Sequence, residues 1–152
     1  MDEIVARSMA RWPDVPAVYG WLSLDRRGGW RIKGERVGNA ALREFIGRNY
    51  HGDERGCWFF QNGPQRVFVA LAYTPLVVHY EGEALLDHCA RPFSPRNIFQ
   101  DEEGSVLVEG EQAIALLDDR DLQRVAERAE SLPHIARNEV AARFGFVPDP
   151  RP

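Results

Sequence analysis

The sequence predicts an α+β fold of mainly antiparallel strands, organised as a hairpin–helix unit that occurs twice. Several short segments alternate apolar and polar residues between glycines, and a period of two is typical of half-buried strands. The same order of acidic residues and glycines occurs at Asp25–Glu35 and again at Asp101–Glu111, each time followed by an amphipathic pattern. We therefore expect two related halves whose sheets and packed helices share one core.

The first half begins with an amphipathic pattern that predicts a helix over 2–12. An apolar run over 18–24 and the alternating residues 30–33 flank Gly28-Gly29, which favours a hairpin turn. Asn39 is placed to cap a helix that runs to Tyr50. Extended segments are then predicted over 57–61, 66–73 and 76–80.

The second half follows an interruption. Pro92 and Pro95 indicate an irregular connection within 82–97. Val106 and Val108 then take the places that Trp30 and Ile32 hold in the first copy, and Asp118 or Asp119 caps a helix that runs to Glu130. A last helix is predicted within 133–144, ended by Gly145.

This pattern divides the chain into an N-terminal α+β half, 1–90, and a C-terminal α+β half, 91–147. The two are expected to pack as one globular unit, followed by a flexible tail over 148–152. The chain has 152 residues, 44% hydrophobic and 28% charged, which is enough apolar material to build such a core.

Charge and composition exclude several classes of protein. The net charge is −4 and no basic stripe occurs, which argues against a nucleic-acid partner. There is no apolar run long enough to span a bilayer, and the first residues lack the layout of a signal peptide. The two cysteines, Cys57 and Cys89, form no Cys-x-x-Cys pair, so we expect reduced thiols and a cytoplasmic location.

Asp87-His88-Cys89 is the strongest catalytic candidate, because a cysteine nucleophile needs a base and an orienting acid. Adjacent residues on a strand point to opposite faces, however, and catalytic triads are assembled from distant positions, so a loop with a half-buried thiol is the favoured reading. Close pairs of metal ligands are also scarce, and we expect neither a metal nor a cofactor. The residues considered for a metal site are His51, Cys57, His79, His88, Cys89 and His134.

The segment 57–66 is the best candidate for a binding surface. It sets amide side chains and an arginine beside aromatic rings, a mixture found in ligand pockets and partner contacts. The residues to which we assign ligand or partner binding are Trp58, Gln61, Asn62, Gln65 and Arg66. The alternative is that Trp58 is part of the core and that Asn62-Gly63-Pro64 is a plain turn.

The order of these motifs also carries a resemblance. Asp25-x-x-Gly-x-Trp, then Asp53-Glu54-Arg55-Gly56-Cys57-Trp58, then Tyr73-Thr74-Pro75 resembles a proteobacterial family of uncharacterised proteins. It is more distantly similar to a bacterial family of unknown function whose chains fold as two tandem α/β subdomains. The resemblance covers about residues 12–130 and rests on turns and core aromatics. It implies a duplicated fold, a bacterial source and a role in signalling or ligand sensing, and it transfers no catalytic residue.

These observations favour a non-enzymatic ligand-binding or regulatory module, with a small molecule or a protein as partner. The alternative is a small hydrolase or transferase with an unfamiliar site near 57–66 or 87–89. Both a monomer and a homodimer are compatible with the sequence.

Overall fold

The computed structural model describes residues 12–152; residues 2–11 of the helix predicted at the N-terminus lie outside the described residues. Residues 12–152 form two six-stranded sheets and a few short helices, which confirms the α+β fold. None of the helices within this range has the length and apolar character needed to cross a bilayer.

The first sheet contains strands β1–β6 and is followed along the chain by the second, with β7–β12. The strands of the first are β1 Ala17–Leu24, β2 Trp30–Ile32, β3 Glu35–Arg36, β4 Tyr50–Gly52, β5 Trp58–Asn62 and β6 Gln65–Leu71. Those of the second are β7 Leu76–Glu81, β8 Ala84–Asp87, β9 Pro92–Phe93, β10 Asn97–Gln100, β11 Val106–Glu109 and β12 Ile114–Leu117. The helices are α1 Ala40–Arg48 and α2 Val140–Phe144, with 3-10 segments Asp119–Ser131 and Arg137–Glu139.

Both sheets have the same topology. The strand orders are β3-β2-β1-β6-β5-β4 and β10-β11-β12-β7-β8-β9. In each sheet one parallel pair lies at the centre, β1 with β6 and β7 with β12, and the remaining neighbours are antiparallel. The two halves are therefore similar, and the duplication is confirmed.

The equivalent positions differ from those that the sequence suggested. By strand order, β4–β5–β6 of the first sheet corresponds to β10–β11–β12 of the second, so Asp53 is equivalent to Asp101, an offset of 48 positions. The pairing keeps this offset: Phe60 lies opposite Tyr50 and Val67, as Val108 lies opposite Ile98 and Ala115. Matching Asp25–Glu35 with Asp101–Glu111 was therefore wrong in register. The Asp25 turn joins β1 to β2, where successive strands lie further from the centre of the first sheet. The Asp101 turn joins β10 to β11, where successive strands lie closer to the centre of the second sheet.

That mismatch has a physical cause in a turn that the chain uses four times. Each copy joins two antiparallel strands, and each begins with an aspartate whose Oδ1 accepts hydrogen bonds from the backbone N–H groups two and four positions later. The fourth residue adopts a left-handed conformation in every copy. The four aspartate turns are Asp25–Gly29, Asp53–Cys57, Asp87–Arg91 and Asp101–Ser105. Equal local geometry therefore made two non-equivalent turns look alike.

The connection over 82–97 is more regular than its prolines indicate, because it contains β8, the third aspartate turn and β9. Pro92 stands in the edge strand β9, where a missing N–H costs no ladder hydrogen bond to a further neighbour. The helix predicted from Asp118 is also present, but as a 3-10 segment whose N-terminal cap is Asp118.

The helix α1 forms where Asn39 accepts a hydrogen bond from the Leu42 N–H at 2.9 Å. Leu42 and Ile46 bury its apolar face, and Gly47 is buried against Cys89, where an added Cβ would lie 3.4 Å from the Cys89 Cα. This glycine, which weakens the helix by itself, allows the second sheet's Asp87–Arg91 turn to approach α1.

One hydrophobic core extends across both sheets. Trp30 and Val106 are each 2% exposed, in strands that follow aspartate turns. The Tyr73 hydroxyl donates a hydrogen bond to the Asp101 carboxylate at 2.8 Å in the buried interior. The chain passes between sheets at 72–75, whereas the predicted division at residue 90 falls between β8 and β9.

The C-terminal segment packs on the first sheet. Gly145 ends α2 with a φ of 71°, as predicted. The Val147 N–H then donates to the Gly56 carbonyl, and the Pro148 carbonyl accepts from Leu71. The flexibility of 148–152 stays a prediction.

Candidate functional site

A cleft of about 730 Å³ lies where the first sheet and α1 meet the Asp87–Arg91 turn of the second sheet. The β1–β2 turn forms one wall with Gly28 and Gly29, and α1 forms another with Gly47. The two sheets touch closely here, because a Cβ added to Gly28 would lie 2.6 Å from the Cβ of His88. The cleft therefore depends on both halves of the chain.

The rim of this cleft is rich in arginine. It carries six arginines against two acidic residues, Asp25 and Glu44, on a chain whose net charge is −4. The six arginines, which we call the arginine rim, are Arg27, Arg31, Arg36, Arg43, Arg48 and Arg120. Such a concentration of one charge in a concave site attracts anions.

Half of the arginine rim is already neutralised by carboxylates. The ion pairs are Arg27 with Asp119, Arg31 with Asp25 and Arg120 with Asp118.

The other three, Arg36 on β3 and Arg43 and Arg48 on α1, form no salt bridge with a described carboxylate. Among the described residues, the Arg43 guanidinium donates to the Gly38 carbonyl alone, at 3.3 Å. No described carboxylate neutralises the guanidinium groups of β3 and α1, so they can pair with an external anion.

The floor of the cleft comes from the Asp87–Arg91 turn, which presents His88, Cys89 and Ala90. His88 Nδ1 accepts a hydrogen bond from the Val77 N–H at 3.2 Å, which assigns the proton of the neutral ring to Nε2. His88 Nε2 is buried and has no partner among the described residues, although the residue as a whole is half-buried. Burial, together with the Arg91 charge, lowers the pKa of His88 to about 3.

The Asp87-His88-Cys89 tripeptide does not form a catalytic relay. The Asp87 Oδ1 accepts from the Cys89 and Arg91 backbone N–H groups, which closes the turn, and His88 Nδ1 is bonded to Val77. Burial raises the pKa of the Cys89 thiol to about 11. A half-buried thiol with a raised pKa is a poor nucleophile near neutral pH.

All five residues predicted to bind a ligand or partner lie in the β5–β6 hairpin, but the amides of Gln61, Asn62 and Gln65 stabilise the hairpin itself. Gln61 Nε2 donates to the Gly63 carbonyl at 2.6 Å, and Asn62 Nδ2 donates to Gln65 Oε1 at 3.2 Å. Gln65 Nε2 donates to the carbonyls of Pro13 and Val15, which fastens the start of the described chain to the hairpin.

The other two predicted residues, Trp58 and Arg66, carry no amide, and Arg66 lies directly opposite Gln61 where β5 pairs with β6. Trp58 packs over Gly52 and Tyr50 and lines a second cleft of about 400 Å³. Arg66 is exposed and its guanidinium carbon lies 4.3 Å from the centre of the Phe59 ring. A binding role for these five residues stays a prediction.

Within residues 12–152, no three histidine, cysteine or acidic side chains lie together in the way a metal ion requires. The metal-ligand candidates instead occupy separate places in the fold. His51 lies on β4, His79 on β7, and the Asp53–Cys57 turn holds Cys57.

Sequence reasoning missed the arginine rim. Its members come from the β1–β2 turn, β2, β3, α1 and the 3-10 segment, so no local spacing unites them. The usable signal was weak: Arg43 and Arg48 lie on the polar side of α1, which by itself is typical of a solvated helix face.

Comparison with known proteins supports the fold and assigns no activity. The family model DUF2944, whose description reads "Protein of unknown function (DUF2946)", matches residues 1–151. A solved DUF1285 family protein from Silicibacter pomeroyi DSS-3 is similar over 84% of both chains, with a TM-score of 0.57 and 15% identity. A second, from Shewanella baltica OS155, covers 70% of this chain and 90% of its own, with a TM-score of 0.50 and 14% identity. No curated protein matches the chain.

Proposed function

The chain belongs to the DUF2944 family of proteins of unknown function, and from that premise we propose that it is a non-enzymatic module that binds an organic anion. The binding site is the cleft between the first sheet, α1 and the Asp87–Arg91 turn. The observation that carries this proposal is the arginine rim, a local excess of positive charge on a chain of net charge −4.

The chemistry of the rim supports phosphate or carboxylate as the anionic group. Guanidinium groups bind both with paired, charge-assisted hydrogen bonds. Arg36, Arg43 and Arg48, which pair with no described carboxylate, lie on β3 and α1, which follow one another along the chain, and all three line the cleft. We assign the anionic group of the ligand to these three arginines.

The size of the cleft supports an organic molecule rather than a bare ion. A volume of about 730 Å³ lies within the range of sites that enclose small organic ligands. Besides the arginines, Asp25, Glu44, Trp30 and His88, the lining consists of small uncharged residues, which are Gly28, Gly29, Gly47, Cys89 and Ala90. This surface is suited to an uncharged portion of the same ligand.

The double variant Arg43→Gln/Arg48→Gln is expected to weaken the binding of phenyl phosphate about tenfold or more, because it removes two charge-assisted contacts. Isothermal titration calorimetry measures the Kd, and a thermal-shift assay reports the same loss, since a ligand of the folded form raises its Tm. Both side chains are exposed, so the variant should fold normally.

The matched control is Arg66→Gln, which removes an exposed arginine from the surface that the sequence favoured. We expect it to bind phenyl phosphate as the native protein does. Equal binding by the native protein and the double variant would refute the proposal, whereas a loss confined to Arg66→Gln would place the site on the β5–β6 hairpin.

A cysteine-dependent hydrolase or transferase is the alternative, and alkylation tests it. With a pKa of about 11, Cys89 carries far less thiolate than a free cysteine, so iodoacetamide should label it on the order of a hundredfold more slowly at pH 7.5. Peptide mapping by mass spectrometry follows the rate, and the chain unfolded in guanidinium chloride provides the reference. Rapid labelling of Cys89 in the folded protein would favour the enzyme.

A further inference from the structure

Ala90 is the exception among the four aspartate turns, because the other three have glycine at the fourth position. The fourth position of each turn is left-handed, with φ of 83° at Gly28, 85° at Gly56, 82° at Gly104 and 65° at Ala90. A residue with a Cβ is disfavoured in this conformation, whereas glycine adopts it freely. The turn at Asp87–Arg91 therefore holds a strained residue where glycine would close the same hydrogen bonds.

The position of Ala90 distinguishes it from its equivalents. Added Cβ atoms at Gly28 and Gly56 would collide with His88 and with the Gly145 carbonyl, while Gly104 faces open space. Ala90 is exposed and lines the cleft beside Cys89 and His88. The one aspartate turn with a methyl group at this position therefore has that residue in the lining of the candidate binding site. Non-glycine residues in left-handed conformations concentrate at ligand-contacting sites, where surrounding structure holds them.

We propose that Ala90 is a specificity-determining residue, whose methyl group contacts an apolar portion of the anion bound by the arginine rim. This inference rests on the proposed function and narrows its ligand class to organic phosphates or carboxylates whose anionic group is joined to an apolar ring or chain. The arginines hold the anionic group, and the Asp87–Arg91 turn selects what is attached to it. Inorganic phosphate can contact the arginines but has no apolar portion to contact the Asp87–Arg91 turn.

The test compares phenyl phosphate with inorganic phosphate in the native protein and in Ala90→Gly. The native protein should prefer phenyl phosphate, and the variant should lose about fourfold of that preference, the expected effect of removing one methyl group that the phenyl ring buries on binding. Its affinity for inorganic phosphate should stay the same. The Tm of the unliganded variant should rise by about 2 °C, because glycine relieves the left-handed strain.

A second variant and a control make the outcome decisive. Ala90→Asn tolerates the left-handed conformation but places an amide in the cleft, so it should lose the preference for phenyl phosphate while keeping inorganic phosphate. Gly104→Ala adds a methyl group at the equivalent position of another aspartate turn, and should lower the Tm without changing either Kd.

Three results would overturn the inference. They are an unchanged preference in Ala90→Gly, equal weakening of both probes, and an altered preference in the Gly104→Ala control. If Arg43→Gln/Arg48→Gln weakens binding while Ala90→Gly leaves the preference intact, the proposed function stands and only this inference fails. If the native protein binds neither probe, both fail.

Discussion

Replacing Gly56 by alanine is expected to lower the free energy of unfolding by about 3 kcal/mol, the sum of a left-handed backbone penalty and a steric overlap. Gly56 has a φ of 85°, and a Cβ there would overlap the Gly145 carbonyl oxygen and lie 3.0 Å from the Phe146 Cα. These are backbone atoms, so no side chain can rotate away. The substitution should also break the hydrogen bond from the Val147 N–H to the Gly56 carbonyl, 2.8 Å long.

Gly104→Ala is the matched control, because Gly104 has almost the same φ and no atom near its missing Cβ. It should cost about 1 kcal/mol, the backbone penalty alone. Urea denaturation of the two variants separates the terms. If the two variants lose the same free energy of unfolding to within about 0.5 kcal/mol, the C-terminal segment causes no steric overlap at the Asp53–Cys57 turn, since independent surface changes differ by no more than this.

Acid is expected to destabilise the fold through His88. Its pKa is about 3 in the folded protein against an ordinary value of 6.5, so below pH 6.5 the unfolded chain binds a proton that the folded chain excludes. The stability that neutral His88 contributes is fully present above 6.5, its pKa in the unfolded chain, and is lost as the pH falls toward 3. The slope approaches about 1.4 kcal/mol per pH unit, which amounts to about 2 kcal/mol between pH 6.5 and 4.5.

His88→Asn isolates this contribution. An asparagine oxygen can still accept the hydrogen bond from the Val77 N–H but does not titrate. The variant should be less stable at pH 7, since it loses ring contacts with Trp30 and Tyr50. Its free energy of unfolding should then fall less steeply than that of the native protein between pH 6.5 and 4.5. Parallel curves from urea titrations at each pH would contradict a buried neutral His88.

The sequence predicted the structural features that are decided within a few residues. Asn39 caps α1 through a bond three positions away, and Gly145 ends α2 by its own left-handed conformation. The aspartate turns are equally local, which is why their glycines were visible in the sequence. For the same reason they gave the wrong register, because an identical turn can join any two antiparallel strands.

Features that depend on distant segments could not be read from the sequence. The parallel pairing of β1 with β6 joins strands separated by α1 and four other strands, and no periodic pattern encodes it. The cleft likewise combines Arg31, Arg43 and Ala90, each of which is unremarkable among its neighbours in sequence. The segment 57–66 was predicted to bind a ligand or partner because its polar and aromatic residues are adjacent. The Gln61 and Gln65 side chains instead donate hydrogen bonds to backbone carbonyls and so stabilise the hairpin.

The outermost strands of the two sheets have a consequence for self-association. β3 and β9 contain two residues each, β4 three and β10 four. Short edges, the charges of Glu35 and Arg36, and Pro92 leave few consecutive backbone groups on which another polypeptide could add a strand. The described sheets are thus protected against edge-to-edge aggregation, and a partner would be recognised by side chains rather than by extension of a sheet.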